Sequence, residues 1–177
     1  MRWQRADGSM VPPDVFIPVA EATGLILPIG QWALHQACLS WLQMAQAGYA
    51  LPLSVNVSPS QFRQPDFVAN VRKTLAETGA PASQLIFEIT EGLLIDNVDS
   101  TIARMHELAD IGIRFSIDDF GTGYSSLAYL KRFPVQRLKV DRAFIDDLGQ
   151  DDDSAAIIQS VIGLARSAIA GTTLGGQ

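Results

Sequence analysis

The sequence predicts an α/β protein built on a parallel sheet, and three observations carry the prediction. Segments of strand character alternate with helical segments every ~20 to 30 residues, the spacing of βαβ units. Helical segments close on glycines, Gly48, Gly79 and Gly112, before the next strand begins. Polar residues recur toward the strand ends, Asn56, Glu88, Asp118 with Asp119, and Lys139, where an α/β barrel gathers its active site.

The elements follow in order. Met1-Arg2-Trp3 leads through a turn at Asp7-Gly8 to Pro12-Pro13-Asp14, where prolines and an acid start a helix over about 15–23. After Gly24 and Pro28 a longer helix is expected over about 30–47, with Trp32, Leu34, Ala37, Cys38, Trp41, Leu42 and Ala45 on its buried side. Residues 53–58 form a first strand closed by Pro59, and a helix over about 65–77 stops at Gly79. The pattern repeats with a strand over 85–91, a helix over about 98–109 and a strand over 113–117. A short helix near 126–131, a break at Pro134 and a strand over 137–141 come next. Ser154, after three aspartates, caps a last helix to about 169, with Ile158, Val161, Ile162, Ala165 and Ile169 on one side.

Composition narrows the function. A chain of 177 residues, 47% hydrophobic, supports one core and one domain. Thirteen basic against 19 acidic residues give a net charge of −6, which argues against wrapping a polynucleotide or lying on an anionic membrane. A small anionic ligand remains possible if metal ions neutralise it. The single cysteine, Cys38, reads as a buried small residue in a reducing compartment. No apolar run approaches the ~20 residues of a membrane span, and the N-terminus is not a signal peptide, so a cytoplasmic location is expected.

The stretch Ile117-Asp118-Asp119-Phe120-Gly121-Thr122-Gly123-Tyr124-Ser125-Ser126 sets two adjacent carboxylates between a strand and a glycine loop. Two carboxylates that close repel unless a cation neutralises them, so the doublet is either a solvated turn or a metal-binding corner. Glu88 between Phe87 and Ile89, and Lys139 between Leu138 and Val140, would be costly if buried unpaired. Mutual neutralisation around a metal removes that cost. Carboxylate and amide oxygens without cysteine or histidine select Mg²⁺ or Mn²⁺ over zinc; His35 and His106 fall on helices and read as helix-face residues. Two such cations can activate a water and clamp phosphate oxygens, a route to phosphodiester hydrolysis, with Lys139 orienting the water or stabilising the transition-state charge.

These residues also carry a resemblance. Phe16-Ile17-Pro18-Val19-Ala20-Glu21 with Thr23-Gly24-Leu25-Ile26, Asn56-Val57-Ser58 with Gln61-Phe62, Glu88-Ile89-Thr90-Glu91, Asp118 to Ser126 and Leu138-Lys139-Val140-Asp141-Arg142 resemble the EAL-domain cyclic di-GMP phosphodiesterases over residues 2 to about 167. The resemblance implies a TIM-like barrel that uses Mg²⁺ or Mn²⁺ to open cyclic di-GMP to linear pGpG in bacterial signalling. It implies that Asn56, Glu88 and Asp118 ligate metal, that Asp119 joins the second metal site and that Lys139 assists the water. Glu91 would brace the loop 120–126, and Arg2 would contact a substrate phosphate. The partners implied are cyclic di-GMP, a second copy of the chain and a sensory domain upstream of residue 1.

The sequence also departs from the family. The glutamate of the motif that names it would fall before residue 1, and the segment after Arg166 lacks the strand with a further glutamate ligand, ending instead in Ala170-Gly171-Thr172-Thr173-Leu174-Gly175-Gly176-Gln177. The expectation is a partial domain over 1–170 with a non-family or disordered tail over 171–177, a barrel without its first and last strands, exposed apolar helix faces and weak or absent turnover. A degenerate cyclic di-GMP-binding or interaction module without turnover is the alternative. A Schiff-base lyase using Lys139 is a third reading, which would need a nucleophilic amine.

Overall fold

The computed structural model describes residues 2–94, 97–120, 132–140, 159 and 163. The glycine loop 121–126, the short helix near 126–131, Asp141, Arg142, nearly all of the helix over 154–169 and the tail 171–177 lie outside the described residues.

The chain opens with a two-stranded antiparallel hairpin, β1 (Trp3–Gln4) and β2 (Met10–Val11). The Asp7-Gly8 turn between them is held by Asp7 Oδ1, which accepts from Ser9 N at 2.9 Å and Ser9 Oγ at 2.6 Å. Helices α1 (Pro13–Ala22) and α2 (Ile26–Gln46) follow. Pro13 sits in the first turn of α1, where a missing N–H costs nothing. For the same reason Pro28 does not delay α2, which starts at Ile26 and not near Gly30 as expected.

The buried stripe of α2 is Ile26, Gly30, Leu34 and Cys38, every fourth residue. Trp32, placed on the buried side from sequence, lies two residues from both Gly30 and Leu34, about 200° around a 3.6-residue helix. It is accordingly 57% exposed. With Arg2, Trp3, Phe16, Val19 and Leu25 it lines a cavity of about 690 Å³ between the hairpin and the two helices, and Trp3 meets Phe16 edge-on at 5.8 Å. Exposed apolar helix surface is therefore concentrated here.

Strand β3 (Leu53–Asn56) is followed by α3 (Pro59–Phe62) and α4 (Phe67–Thr78). The strand stops at Asn56, two residues early, because Ser58 caps α3: its Oγ accepts from Gln61 N at 3.1 Å and Pro59 starts the helix. Gly79 closes α4 at φ 76°, donating to Leu75 O at 2.8 Å, as a left-handed glycine does. Strand β4 (Leu85–Thr90), a 3-10 turn (Glu91–Leu94), helix α5 (Val98–Asp110), strand β5 (Arg114–Phe120) and strand β6 (Arg137–Val140) complete the described elements.

The sheet runs β3-β4-β5-β6, all parallel. Central β4 is buried from Leu85 to Ile89, as a parallel strand covered on both faces should be. Its outward layer carries an aromatic chain: Phe62 to Phe67 at 5.4 Å, Phe67 to Phe87 at 6.1 Å, and Phe87 to Phe115 at 6.1 Å. Cys38 is fully buried in the same core, and burial pushes its thiol pKa up despite a hydrogen bond with Thr78, so it is unreactive.

Helix α2 approaches α3 closely at Gly30. A Cβ on Gly30 would stand 2.2 Å from Gln61 Oε1 and 2.5 Å from its Cδ, and Gln61 is itself buried. Gly30→Ala is therefore expected to cost about 1–2 kcal/mol by overpacking. The penalty should vanish in a Gly30→Ala, Gln61→Ala double variant relative to Gln61→Ala alone, as read by urea unfolding.

Candidate functional site

The strand-end residues expected from sequence meet on one edge of the sheet. Asn56 pairs with Glu88 across β3 and β4, and Thr90 with Asp118 across β4 and β5. Register partners on parallel strands share a face, so Asn56, Glu88 and Asp118 look the same way. Lys139 reaches across from β6: its Nζ lies 2.6 Å from Glu88 Oε1 and donates to Asp118 Oδ2 at 3.4 Å. Glu88 is 8% exposed, so the ammonium is what makes a carboxylate tolerable at a mid-strand position.

The Asp118-Asp119 doublet reaches this edge through an irregularity that sequence reasoning missed. Ile117 pairs with Leu138 and Phe120 with Val140. Thus β5 spends two residues, Asp118 and Asp119, where β6 spends only Lys139, a β-bulge. Asp119 takes φ 54° and its N–H donates to Asp118 Oδ1 at 3.2 Å. A left-handed aspartate is strained but tolerated, and such residues gather at binding sites. Ile117 and Phe120 are both buried on either side of the bulge.

Two further expected residues lie elsewhere on the chain. Glu91 opens the 3-10 turn after β4 and is 3% exposed; the loop it is expected to brace lies outside the described residues. Arg2 is exposed on the hairpin arm and lines the cavity with Trp3 and Trp32. His35 and His106 lie on α2 and α5 as expected, His106 Nε2 standing 3.3 Å from Arg132 O.

Electrostatics fix the state of Lys139. Desolvation pulls its pKa down, but the hydrogen bond and charge of Glu88, with Asp118 behind them, pull it up further, for a net rise above 10.5. A raised lysine contributes stability that is complete below the unfolded pKa and is lost as pH climbs through the folded one. The stability difference between wild type and Lys139→Met should therefore hold steady from pH 7 to about 10 and shrink only beyond the ordinary lysine range. Urea titrations at stepped pH test this. An ammonium held by two carboxylates, with its pKa raised by them, is a poor nucleophile, so borohydride trapping of a Schiff base is expected to fail.

Four donors of charge or amide character on the carboxyl edge of a parallel α/β sheet make a strand-end ligand site of the type this class of fold uses. The chain belongs to the EAL domain family, whose model matches residues 1–175. It is 40% identical over 168 residues to the bifunctional diguanylate cyclase/cyclic di-GMP phosphodiesterase MucR of Pseudomonas aeruginosa, covering 94% of this chain and 24% of MucR. It is likewise 40% identical over 167 residues to the cyclic di-GMP phosphodiesterase NbdA of the same organism, covering 94% of this chain and 21% of NbdA. The solved complex of the PaMucR phosphodiesterase with c-di-GMP superposes with a TM-score of 0.87 at 40% identity, covering 94% of this chain and 68% of that one. The chain thus spans less than a quarter of the length of these two curated relatives. The fold is TIM-like, with four parallel strands among the described residues against the eight of a closed barrel. No helix among the described residues is long and apolar enough to cross a membrane.

Proposed function

We propose that this edge hydrolyses cyclic di-GMP to linear pGpG with the help of Mg²⁺ or Mn²⁺. The observation that carries the reading is the Lys139 ammonium seated between Glu88 and Asp118 on adjacent strands. The donor set fits a hard cation: Glu88 and Asp118 supply charge, Asn56 supplies an amide oxygen in register, and a cation that keeps several waters needs no more. In this reading Asn56, Glu88 and Asp118 hold one cation, and Asp119 contributes to a second. When bound, the cations supply Lewis acidity, neutralising phosphate charge and making water easier to deprotonate.

The chain's own side chains do the rest. Lys139 reaches Glu88 and Asp118 as a cation, and its N–H groups orient the attacking water or offset charge on the phosphoryl oxygens. The water oxygen bonds to phosphorus as the P–O3′ bond breaks, and the proton the water loses ends on the released 3′ oxygen, so that water is divided between the two ends of the linear product. Arg2 contacts a phosphate as a fixed cation, and Glu91 braces the loop 120–126 from its buried position. Chromatography of cyclic di-GMP incubated with the purified chain and Mn²⁺ should show pGpG.

A second reading, binding without turnover, rests on one observation: among the described residues no three His, Cys, Asp or Glu side chains gather as a metal site. Calorimetric binding of cyclic di-GMP in Ca²⁺ with no pGpG in Mg²⁺ or Mn²⁺ would select it. Neither binding nor product would sink both readings.

A further inference from the structure

Ser116 stands in the row directly beneath the doublet. It pairs with Glu88 on β4 and with Arg137 on β6, and Glu88 pairs onward with Asn56. Register partners share a face, and so do residues two apart on one strand, so the Ser116 hydroxyl shares a face with Glu88 and Asp118. Ser116 is 1% exposed, and its Oγ has no hydrogen-bond partner among the described residues. A buried hydroxyl left unpaired opposes folding, and groups of this kind are uncommon enough to need a reason. Alanine, one oxygen smaller, would fit the same place without that penalty.

We infer that Ser116 is a positioning residue for Glu88: its hydroxyl holds the carboxylate, directly or through one water, when Glu88 turns to a divalent cation. The assignment rests on the metal-dependent reading above. A ligating carboxylate must itself be hydrogen-bonded to keep its orientation, and the partners that do this are commonly worth as much to metal affinity as a weak ligand. Lys139 is the donor Glu88 has from β6. An ammonium is a poor companion for a carboxylate that also faces a divalent cation, since the two positive charges repel. Ser116, neutral, buried and in register, supplies a donor without that repulsion. The orphaned hydroxyl is then a group whose partner comes with the loaded site.

The test uses Mn²⁺ alone, without nucleotide, titrated into the purified chain and followed by the electron paramagnetic resonance of the free ion. Thermal unfolding of the metal-free proteins is run beside it. Ser116→Ala is expected to weaken Mn²⁺ binding about 10-fold or more while melting no lower than wild type, because the substitution removes an unpaired buried polar group. Equal affinities would overturn the assignment and leave the catalytic reading standing. A fall in both affinity and melting temperature would also overturn it, since the hydroxyl would then be a structural part of the strand. A wild-type chain that binds no Mn²⁺ would remove the metal-dependent reading and this assignment together.

Discussion

Replacing Lys139 with methionine is expected to lower turnover of cyclic di-GMP about 10²- to 10³-fold, the usual loss when one preorganised donor to a developing charge is removed. Methionine keeps the length and apolar stem of lysine and deletes the charge, so the effect reads the ammonium. Stability should fall as well. Glu88 is 8% exposed and Lys139 Nζ lies 2.6 Å from it, so the variant leaves a desolvated carboxylate without its cation. Breaking a fully buried pair costs about 3–5 kcal/mol, but the Lys139 side chain is 43% exposed, and water can follow the carboxylate; about 1–3 kcal/mol is expected. The double variant Glu88→Gln, Lys139→Met separates the two effects. Urea unfolding should show much of the stability restored, because no charge is left unpaired, while turnover stays lost. A double variant as unstable as Lys139→Met alone would show that packing of the lysine stem, and not the ion pair, holds the strands together.

Phe87→Ala is the substitution expected to damage the fold most. Phe87 has no exposed surface, sits mid-strand in the sheet's central β4, and contacts both Phe67 on α4 and Phe115 on β5 at 6.1 Å. Truncation leaves a cavity where three elements meet, which collapses poorly because two of its walls are strands fixed by parallel pairing. The expected loss is about 3–5 kcal/mol, a third or more of the roughly 5–15 kcal/mol that holds a domain together. The neighbours also bear on function, since Glu88 follows Phe87 and points to the opposite face. Denaturation midpoints measured beside cyclic di-GMP binding should fall together. A variant that binds nucleotide normally at wild-type stability would show that the aromatic chain is not the support of the site.

Much of this was legible from residue order alone. Hydrophobic strands punctuated by helix-ending glycines gave the parallel sheet, because a buried parallel strand can be little else. Asn56, Glu88, Asp118 and Lys139 were found as strand-end polar residues and do share one edge. What escaped was set by geometry that spacing underdetermines. Hydrophobicity alone points Trp32 inward, but a helix of 21 residues packed along one stripe leaves room outside it for a tryptophan. Pro28 reads as a break in the sequence, and only the packed helix shows that it lies in the first turn of α2. The bulge at Asp118-Asp119 depends on β6, a partner 20 residues onward, and no local pattern names that pairing. The orphaned hydroxyl of Ser116 is a property of its surroundings, which a strand of alternating letters does not describe.

The contact between Gly30 and Gln61 bears on how this scaffold could be diversified. A library that randomised position 30 alone should favour glycine and the smallest residues, since any Cβ there must displace the Gln61 amide. Randomised together, small residues at 61 should admit alanine or serine at 30, so the tolerated variants would fall on a diagonal of paired choices. Recombination between lineages that had moved along that diagonal would produce clashing hybrids, and crossovers between residues 30 and 61 should be depleted among the folded progeny.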